Sequence, residues 1–381
     1  MPNYEVFVRQ MLSQAGIQIN GNAHWDIQVH NPAFYKRVMT QGTLGLGESY
    51  MDGWWDCNAI DQLFYKLVTA GLHERVTVPA RMKVAIVLNR IFNIQTRSGS
   101  MKVVHEHYNP ASDTILSFLD PYNQYTCGYF KETDDLAKAQ EQKLDLISRK
   151  LMLQPEDKVL DIGCGWGGFA RFAAERYGCT VTGISNSSEQ IEYAKKFCEG
   201  LPVTFVKSDY RDVKGKFTKV LVCGMIEHVG YKNYRTLMEE VFHCLEKNGL
   251  FLLQTIGGNT SVVSGDPWLK KYIFPNSMLP SMKQITSAVE GLFILEDVEN
   301  FGPYYDPTLM AWHKNFVAHW PRIKQQYEYD TKFYRMWTYY LLHMAGTFRA
   351  RLNQLWQIVF SKKGIPGRSG TYRVQFQNER L

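Results

Sequence analysis

No two of the seven cysteines, Cys57, Cys127, Cys164, Cys179, Cys198, Cys223 and Cys244, stand as a C-x-x-C pair, and their number is odd. Neither a zinc site nor a disulfide framework is expected, and a reducing cytoplasm suits such usage. The start, Met1-Pro2-Asn3-Tyr4-Glu5, has no basic or apolar region of a secretory signal. The longest aliphatic stretch, Val84 to Leu88, stops at Asn89-Arg90 and is too short to span a bilayer. There is no internal repeat, no low-complexity tract and no base-reading or RNA-binding motif, so nucleic acid is not an expected partner.

What is present begins with bulk: 381 residues, 45% apolar and 14% aromatic, can build one large domain and a small one. The net charge of +6 is unevenly spread. Residues 1–74 carry four Lys/Arg against seven Asp/Glu, whereas residues 75–102 carry six basic side chains (Arg75, Arg81, Lys83, Arg90, Arg97, Lys102) and no acidic one. Met82, Val84, Ile86, Val87, Ile91 and Phe92 are interleaved with them. Two readings lead: a helix packed on the larger domain with solvated charges, or a stretch drawn to anionic lipid headgroups at roughly 1 kcal/mol per basic residue; nucleic acid is a weaker third, since no base-reading motif accompanies the charge.

Residues 4–15 read as an amphipathic helix, and Asn31-Pro32 as the cap of a second one running to about Gln41. Gly42-Thr43-Leu44-Gly45-Leu46-Gly47-Glu48-Ser49-Tyr50-Met51-Asp52-Gly53-Trp54-Trp55 has four glycines and two tryptophans and is expected to be a compact, aromatic-anchored loop. Ile60, Leu63, Phe64, Leu67 and Val68 resume helical spacing. A small, mainly helical N-terminal domain (1–95) is therefore expected, then a linker (96–104) and a large domain (105–381). In that domain a helix at 133–153 leads into a first strand at Val159–Ile162. Alternating elements follow: strand 179–185, helix 188–198, strand 203–209, strand 219–225, helix 232–246 and strand 250–256. That alternation predicts a parallel, doubly wound α/β sheet, with its ligand at the carboxyl ends of the strands. A strand at 293–299, a helix from 308, a helix at 331–352 and a last strand at Gln354–Phe360 complete the pattern, and the tail from Ser361 is basic and glycine-rich.

The first strand breaks into Gly163-Cys164-Gly165-Trp166-Gly167-Gly168, a turn that lets backbone approach a ligand and then presents the free N–H groups of a helix start. No G-K-[S/T] follows, which excludes a P-loop. The second strand ends in Ser185-Asn186-Ser187-Ser188, without the acid that would bind the ribose of NAD. An adenosyl ligand lacking phosphates remains. Asp161, just before the glycines, offers a carboxylate for an ammonium group, and S-adenosylmethionine fits that pattern.

At this point the sequence resembles a known family, the bacterial cyclopropane-fatty-acyl-phospholipid synthases and the related mycolic acid cyclopropane synthases. The resemblance rests on Val159–Gly167, Leu44–Trp55, Glu106-His107-Tyr108, Tyr125-Thr126-Cys127-Gly128-Tyr129-Phe130, Gly224-Met225-Ile226-Glu227-His228-Val229-Gly230, Tyr272-Ile273-Phe274-Pro275 and Thr308–Trp312, and covers nearly the whole chain. It implies a class I methyltransferase, Rossmann-like and doubly wound, that moves a methyl group from S-adenosylmethionine to the cis double bond of a phospholipid acyl chain. Loss of a proton from the resulting carbocation closes the ring.

The resemblance further implies a bound bicarbonate as proton acceptor, held by groups matching Cys127, Glu227, Ile256 and Tyr305, with Gln254 where the family has a histidine. For the cofactor it implies Tyr108, Asn109, Asp161, Gly163, Cys164, Gly165, Gly167, Ser185, Asn186, Gln190, Tyr210 and Arg211. Asn109 departs from the family's usual aspartate, and a cysteine common near the C-terminus is absent around Met344–Phe348. The expected setting is cytoplasmic, peripheral to the inner face of the cell membrane, with a homodimer through the N-terminal domain. Competing readings are a relative that yields methyl-branched or methylene products, one acting on a small amine, and a non-catalytic membrane-binding relative.

Overall fold

The computed structural model describes residues 3–75 and 112–364. The basic stretch beyond residue 75, the expected linker, Glu106-His107-Tyr108-Asn109 and the tail beyond residue 364 lie outside the described residues. The chain forms two compact units that are not consecutive blocks: one joins the N-terminal residues with Val263–Ser277 and Tyr305–Asn353, and the other holds the remaining chain.

The first unit is helical. Helix α1 (Tyr4–Ser13) is capped by the Asn3 side chain, and α2 (Ala33–Met51) begins after Pro32. The stretch expected to be a loop is helix as far as Met51, interrupted only at Gly42, whose φ of 60° kinks the axis. The helix survives its glycines because they serve close approach: a Cβ on Gly47 would lie 2.4 Å from the indole of Trp268. Arg37 draws the end of α2 together through Glu48 and Asp52, both at 2.7 Å. Trp55 is fully buried and donates from Nε1 to the Leu46 carbonyl at 3.1 Å. Helix α3 (Ile60–Thr69) then packs with the last helix among the described residues.

Tertiary packing recruits that late helix because its inward face is aromatic. In the described structure α8 is Tyr305–Tyr327 and α9 is Thr331–Arg349. Tyr339 on α9 lies 5.5 Å from Phe64, 5.7 Å from Tyr50 and 4.6 Å from Trp268, ring centre to ring centre. Arg349 clamps Asp306 and Asp61 at 2.8 and 2.7 Å.

The second unit carries a seven-stranded sheet: β1 (Lys158–Ile162), β2 (Thr180–Ser185), β3 (Val203–Lys207), β4 (Phe217–Cys223), β5 (Leu245–Gly258), β6 (Ile294–Asn300) and β7 (Asn353–Ser361). Their order is β3-β2-β1-β4-β5-β7-β6. Strands β1 to β5 pair in parallel, as the alternation with helices predicts. The sheet is not parallel throughout, since β6 runs antiparallel to β7. Two consecutive helices, not one, connect those strands, so the chain can return in the opposite sense.

Side chains of a strand alternate between faces. Val159, Val181, Leu221, Leu252 and Val359 pack toward α4 (Leu136–Lys150), which Asp135 caps, and toward α5 (Gly168–Tyr177). Leu160, Ile162, Val220, Val222, Phe251, Leu253, Ile358 and Phe360 fill the opposite layer with α7 (Tyr234–Cys244), while α6 (Ser188–Phe197) follows β2.

Candidate active site

Near the carboxyl ends of the parallel strands, the face that packs on α4 turns polar. Two positions beyond the apolar Val159, Leu221 and Leu252 stand Asp161, Cys223 and Gln254, and on β7 Gln357 keeps phase with Val359. Asp161, Gln254 and Gln357 are buried. Helix α4 answers with two polar residues on its own buried stripe, Gln140 and Lys143.

These α4 side chains hold the segment around Cys127. Gln140 Nε2 donates to the Thr126 carbonyl at 2.8 Å. Lys143 Nζ donates to Thr126 Oγ1 at 3.0 Å and to Gln124 Oε1. The Tyr129 N–H donates to the Ala139 carbonyl at 2.9 Å. Cys127 itself is fully buried and its thiol donates to the Gly128 carbonyl at 3.2 Å. Lys143 and Gln140 were not singled out by sequence; the signal for them is polar residues in phase with Leu136, Leu144, Ile147 and Leu151 on an otherwise apolar stripe.

The glycine turn has the geometry its sequence promised. Gly163, Gly165 and Gly167 take φ of 85°, 53° and 85°, and the Gly163 and Cys164 N–H groups are tied to the Ile184 carbonyl. Among the described residues a Cβ on Gly165 would meet nothing within 4 Å, which leaves its backbone approachable by a ligand, while one on Gly163 or Gly167 would press on Met225 or on Ala194 and Phe205. The Cys164 side chain is packed in the core, leaving backbone as its contribution. After β2, Ser185 Oγ donates to Gln190 Oε1 at 2.9 Å and accepts from the Ser187 N–H at 3.1 Å, with Asn186 between them. Gln190 is thereby left with its amide N–H groups to offer. After β3, Arg211 lies over the Tyr210 ring at 4.8 Å and donates from Nε to Tyr210 Oη at 3.2 Å. Asp209, missed by sequence, steadies this turn by accepting from the Arg211 N–H at 3.0 Å.

Burial pushes the Asp161 carboxyl up to about 7, opposed only in part by the positive charge of Lys143. A buried acid with an incomplete counter-charge, beside open glycine backbone, fits a ligand with a cationic end.

Glu227 sits in a short helical turn after β4. Its Oε1 accepts from the Ile256 N–H at 2.8 Å, whereas Oε2 is buried and finds no partner among the described residues. Burial raises this carboxyl to about 7. Ile256, expected to face the anion, thus spends its N–H on Glu227. The hydroxyl of Tyr234 is likewise buried without a partner among the described residues, within the electrostatic field of Glu227. His228 is pushed down to about 4 by burial and is neutral at physiological pH. Gln254 Oε1 accepts from Gln357 Nε2 at 2.9 Å. Cys127, Glu227, Gln254 and Ile256 all belong to the sheet-bearing unit; Tyr305 opens α8 in the helical one, buried and stacked on Phe348 at 4.4 Å.

Sheet order, glycine turn and buried acid define a methyltransferase fold of class I. The solved cyclopropane synthase of Mycobacterium tuberculosis shares it, with a TM-score of 0.64 and 26% identity over 69% of this chain and 98% of that one. A mycolic acid cyclopropane synthase complexed with SAH and CTAB aligns over the same shares at a TM-score of 0.61 and 26% identity. The family model for mycolic acid cyclopropane synthetase matches residues 95–358, and a cyclopropane-fatty-acyl-phospholipid synthase of Escherichia coli K12 is 48% identical over 360 residues, 94% of each chain. The chain belongs to the mycolic acid cyclopropane synthetase family.

Proposed function

We propose that this enzyme converts cis-unsaturated acyl chains of membrane phospholipids to cyclopropane acyl chains, using S-adenosylmethionine and a bicarbonate ion. The observation that carries the reading is Glu227: a buried carboxyl with one oxygen anchored and the other without a partner among the described residues, beside the strand end that bears Gln254. S-adenosylmethionine supplies the single carbon, and bicarbonate supplies a proton acceptor. Asp161 and the backbone at Gly163, Gly165 and Gly167 hold the cofactor, joined by Ser185, Asn186, Gln190, Tyr210 and Arg211, and by Tyr108 and Asn109. Cys164 contributes backbone alone.

An alkene is a weak nucleophile, so the protein's work is to align it and to exclude water. A new carbon–carbon bond forms as the carbon–sulfur bond breaks, and the chain becomes a cation. One proton then leaves the added carbon, and its bonding pair closes the three-membered ring. Glu227 and Gln254, with the backbone around Cys127 and Ile256, orient the acceptor of that proton.

Among the described residues no helix is long and apolar enough to cross a membrane. The reading places the enzyme peripherally on the cytoplasmic membrane face, through residues 75–102 aided by Lys362, Lys363, Arg368 and Arg373, and as a homodimer. Flotation with anionic vesicles checks the first, where binding must fall as salt rises; sedimentation of the pure protein checks the second. The reaction itself is tested by mass spectrometry of lipids from a host lacking the activity. A gain of one CH₂ per unsaturated chain, with loss of the double bond, supports it; a gain of mass with the double bond retained overturns it.

A further inference from the structure

Gln254 and Gln357 stand on neighbouring strands about a hundred residues apart in sequence, yet both are buried and joined by one hydrogen bond, Gln357 Nε2 to Gln254 Oε1 at 2.9 Å. Each amide keeps one polar atom without a partner among the described residues: Nε2 of Gln254 and Oε1 of Gln357. Two buried unmet groups side by side are costly unless something completes them. The amide of a glutamine is ambivalent, since rotating it exchanges donor for acceptor. The Gln357 amide couples to that choice. By occupying Gln254 Oε1 it leaves only Nε2–H groups for whatever binds next to the strand end.

That end is also where Glu227 is held. The Ile256 N–H, two residues beyond Gln254 on β5, anchors Glu227 Oε1, and Glu227 Oε2 is buried without a partner among the described residues. An anion with one acidic hydrogen suits such a pair: its negative oxygen accepts from an amide N–H, and its O–H donates to a carboxylate. A Gln254 amide turned the other way would set a carbonyl against that negative oxygen.

We propose that Gln357 is a positioning residue for the proton-removal step, fixing the Gln254 amide with its N–H groups toward a bound bicarbonate. This rests on the bicarbonate reading above. Gln357 does not touch the anion; it acts through Gln254.

The test is a double-mutant cycle on bicarbonate binding, measured by titration calorimetry on the full-length protein, with S-adenosylmethionine affinity as the check on folding. Gln357→Met removes the donor at nearly constant volume and is expected to weaken bicarbonate about tenfold, the scale of one lost hydrogen bond. Gln254→Leu should weaken it at least as much, and Gln254→Leu/Gln357→Met no further. Gln357→Leu repeats the measurement should the methionine variant fail to fold. Losses that add, or an affinity unchanged or tightened in Gln357→Met, overturn the positioning role. A wild type that binds no bicarbonate overturns the anion reading instead. The pairing of the two amides is then scored from turnover of the same four proteins, where coupled losses support it and additive losses overturn it.

Discussion

The Ile256 N–H donates to Glu227 Oε1 at 2.8 Å and anchors a carboxyl whose other oxygen is buried and unmet among the described residues. Burial moves its titration from an ordinary 4.5 to about 7. Between those values the folded protein holds a proton that the unfolded chain has released. Glu227 therefore contributes stability that is complete below about pH 4.5 and lost as pH rises through about 7. Glu227→Gln is expected to flatten that part of the stability profile, read by thermal unfolding from pH 5 to pH 8, while lowering turnover at least about a hundredfold. A profile as steep as the wild type's would remove Glu227 from the titration.

Asp161 titrates near 7 for the same reason, with Lys143 opposing the shift. Only the ionised form attracts a cationic ligand, so the dissociation constant for S-adenosylmethionine is expected to rise about tenfold per pH unit below that point. Asp161→Asn should bind weakly at every pH. Lys143→Met, which takes away the opposing charge, should move the threshold to higher pH. Calorimetry from pH 6 to pH 9 reads all three.

Gly165 and Gly163 both have positive φ, but among the described residues only a Cβ on Gly163, not one on Gly165, would meet a neighbour. Gly165→Ala is expected to cost about 1 kcal/mol of stability, the price of an alanine at positive φ, and to lose most cofactor affinity because its methyl enters the ligand's space. Gly163→Ala should lose more stability, since its Cβ would lie 2.8 Å from the Met225 side chain. Paired unfolding and binding measurements separate the two; equal losses in both variants would contradict the geometry.

Gln254→His restores a side chain that can itself titrate near neutral pH. If slow proton removal lets the carbocation rearrange, the wild type makes some methylene or methyl-branched product, and the histidine variant makes less. Gas chromatography of products with and without added bicarbonate decides this, and identical ratios in both proteins would show that glutamine only fills the volume.

In the helical unit Gly47→Ala places a methyl 2.4 Å from the Trp268 indole. Overpacking of this kind costs about 1–3 kcal/mol. A lowered melting temperature, accompanied by loss of near-ultraviolet circular dichroism from the buried tryptophans, is the expected outcome.

Local chemistry was enough to read the alternating strands and helices, the positive-φ glycine turn with Asp161 before it, and Glu227 just past a strand end. Each depends on residues within a few positions of one another: period-two burial, backbone freedom at glycine, and a cap or turn at a strand's end. The stretch Gly42–Trp55 misled for the opposite reason. Its glycines suggest a loop in isolation, yet the stretch is helical as far as Met51, and Trp268, far away in sequence, fills the space that the missing Cβ of Gly47 leaves. The antiparallel edge strand, the recruitment of α8 and α9 into the N-terminal unit, and the meeting of Gln357 with Gln254 were equally out of reach. They are contacts between residues many tens of positions apart. Period and propensity report which face of an element is buried, but only packing in three dimensions chooses what covers it and leaves Glu227 Oε2 and Gln254 Nε2 unmet among the described residues.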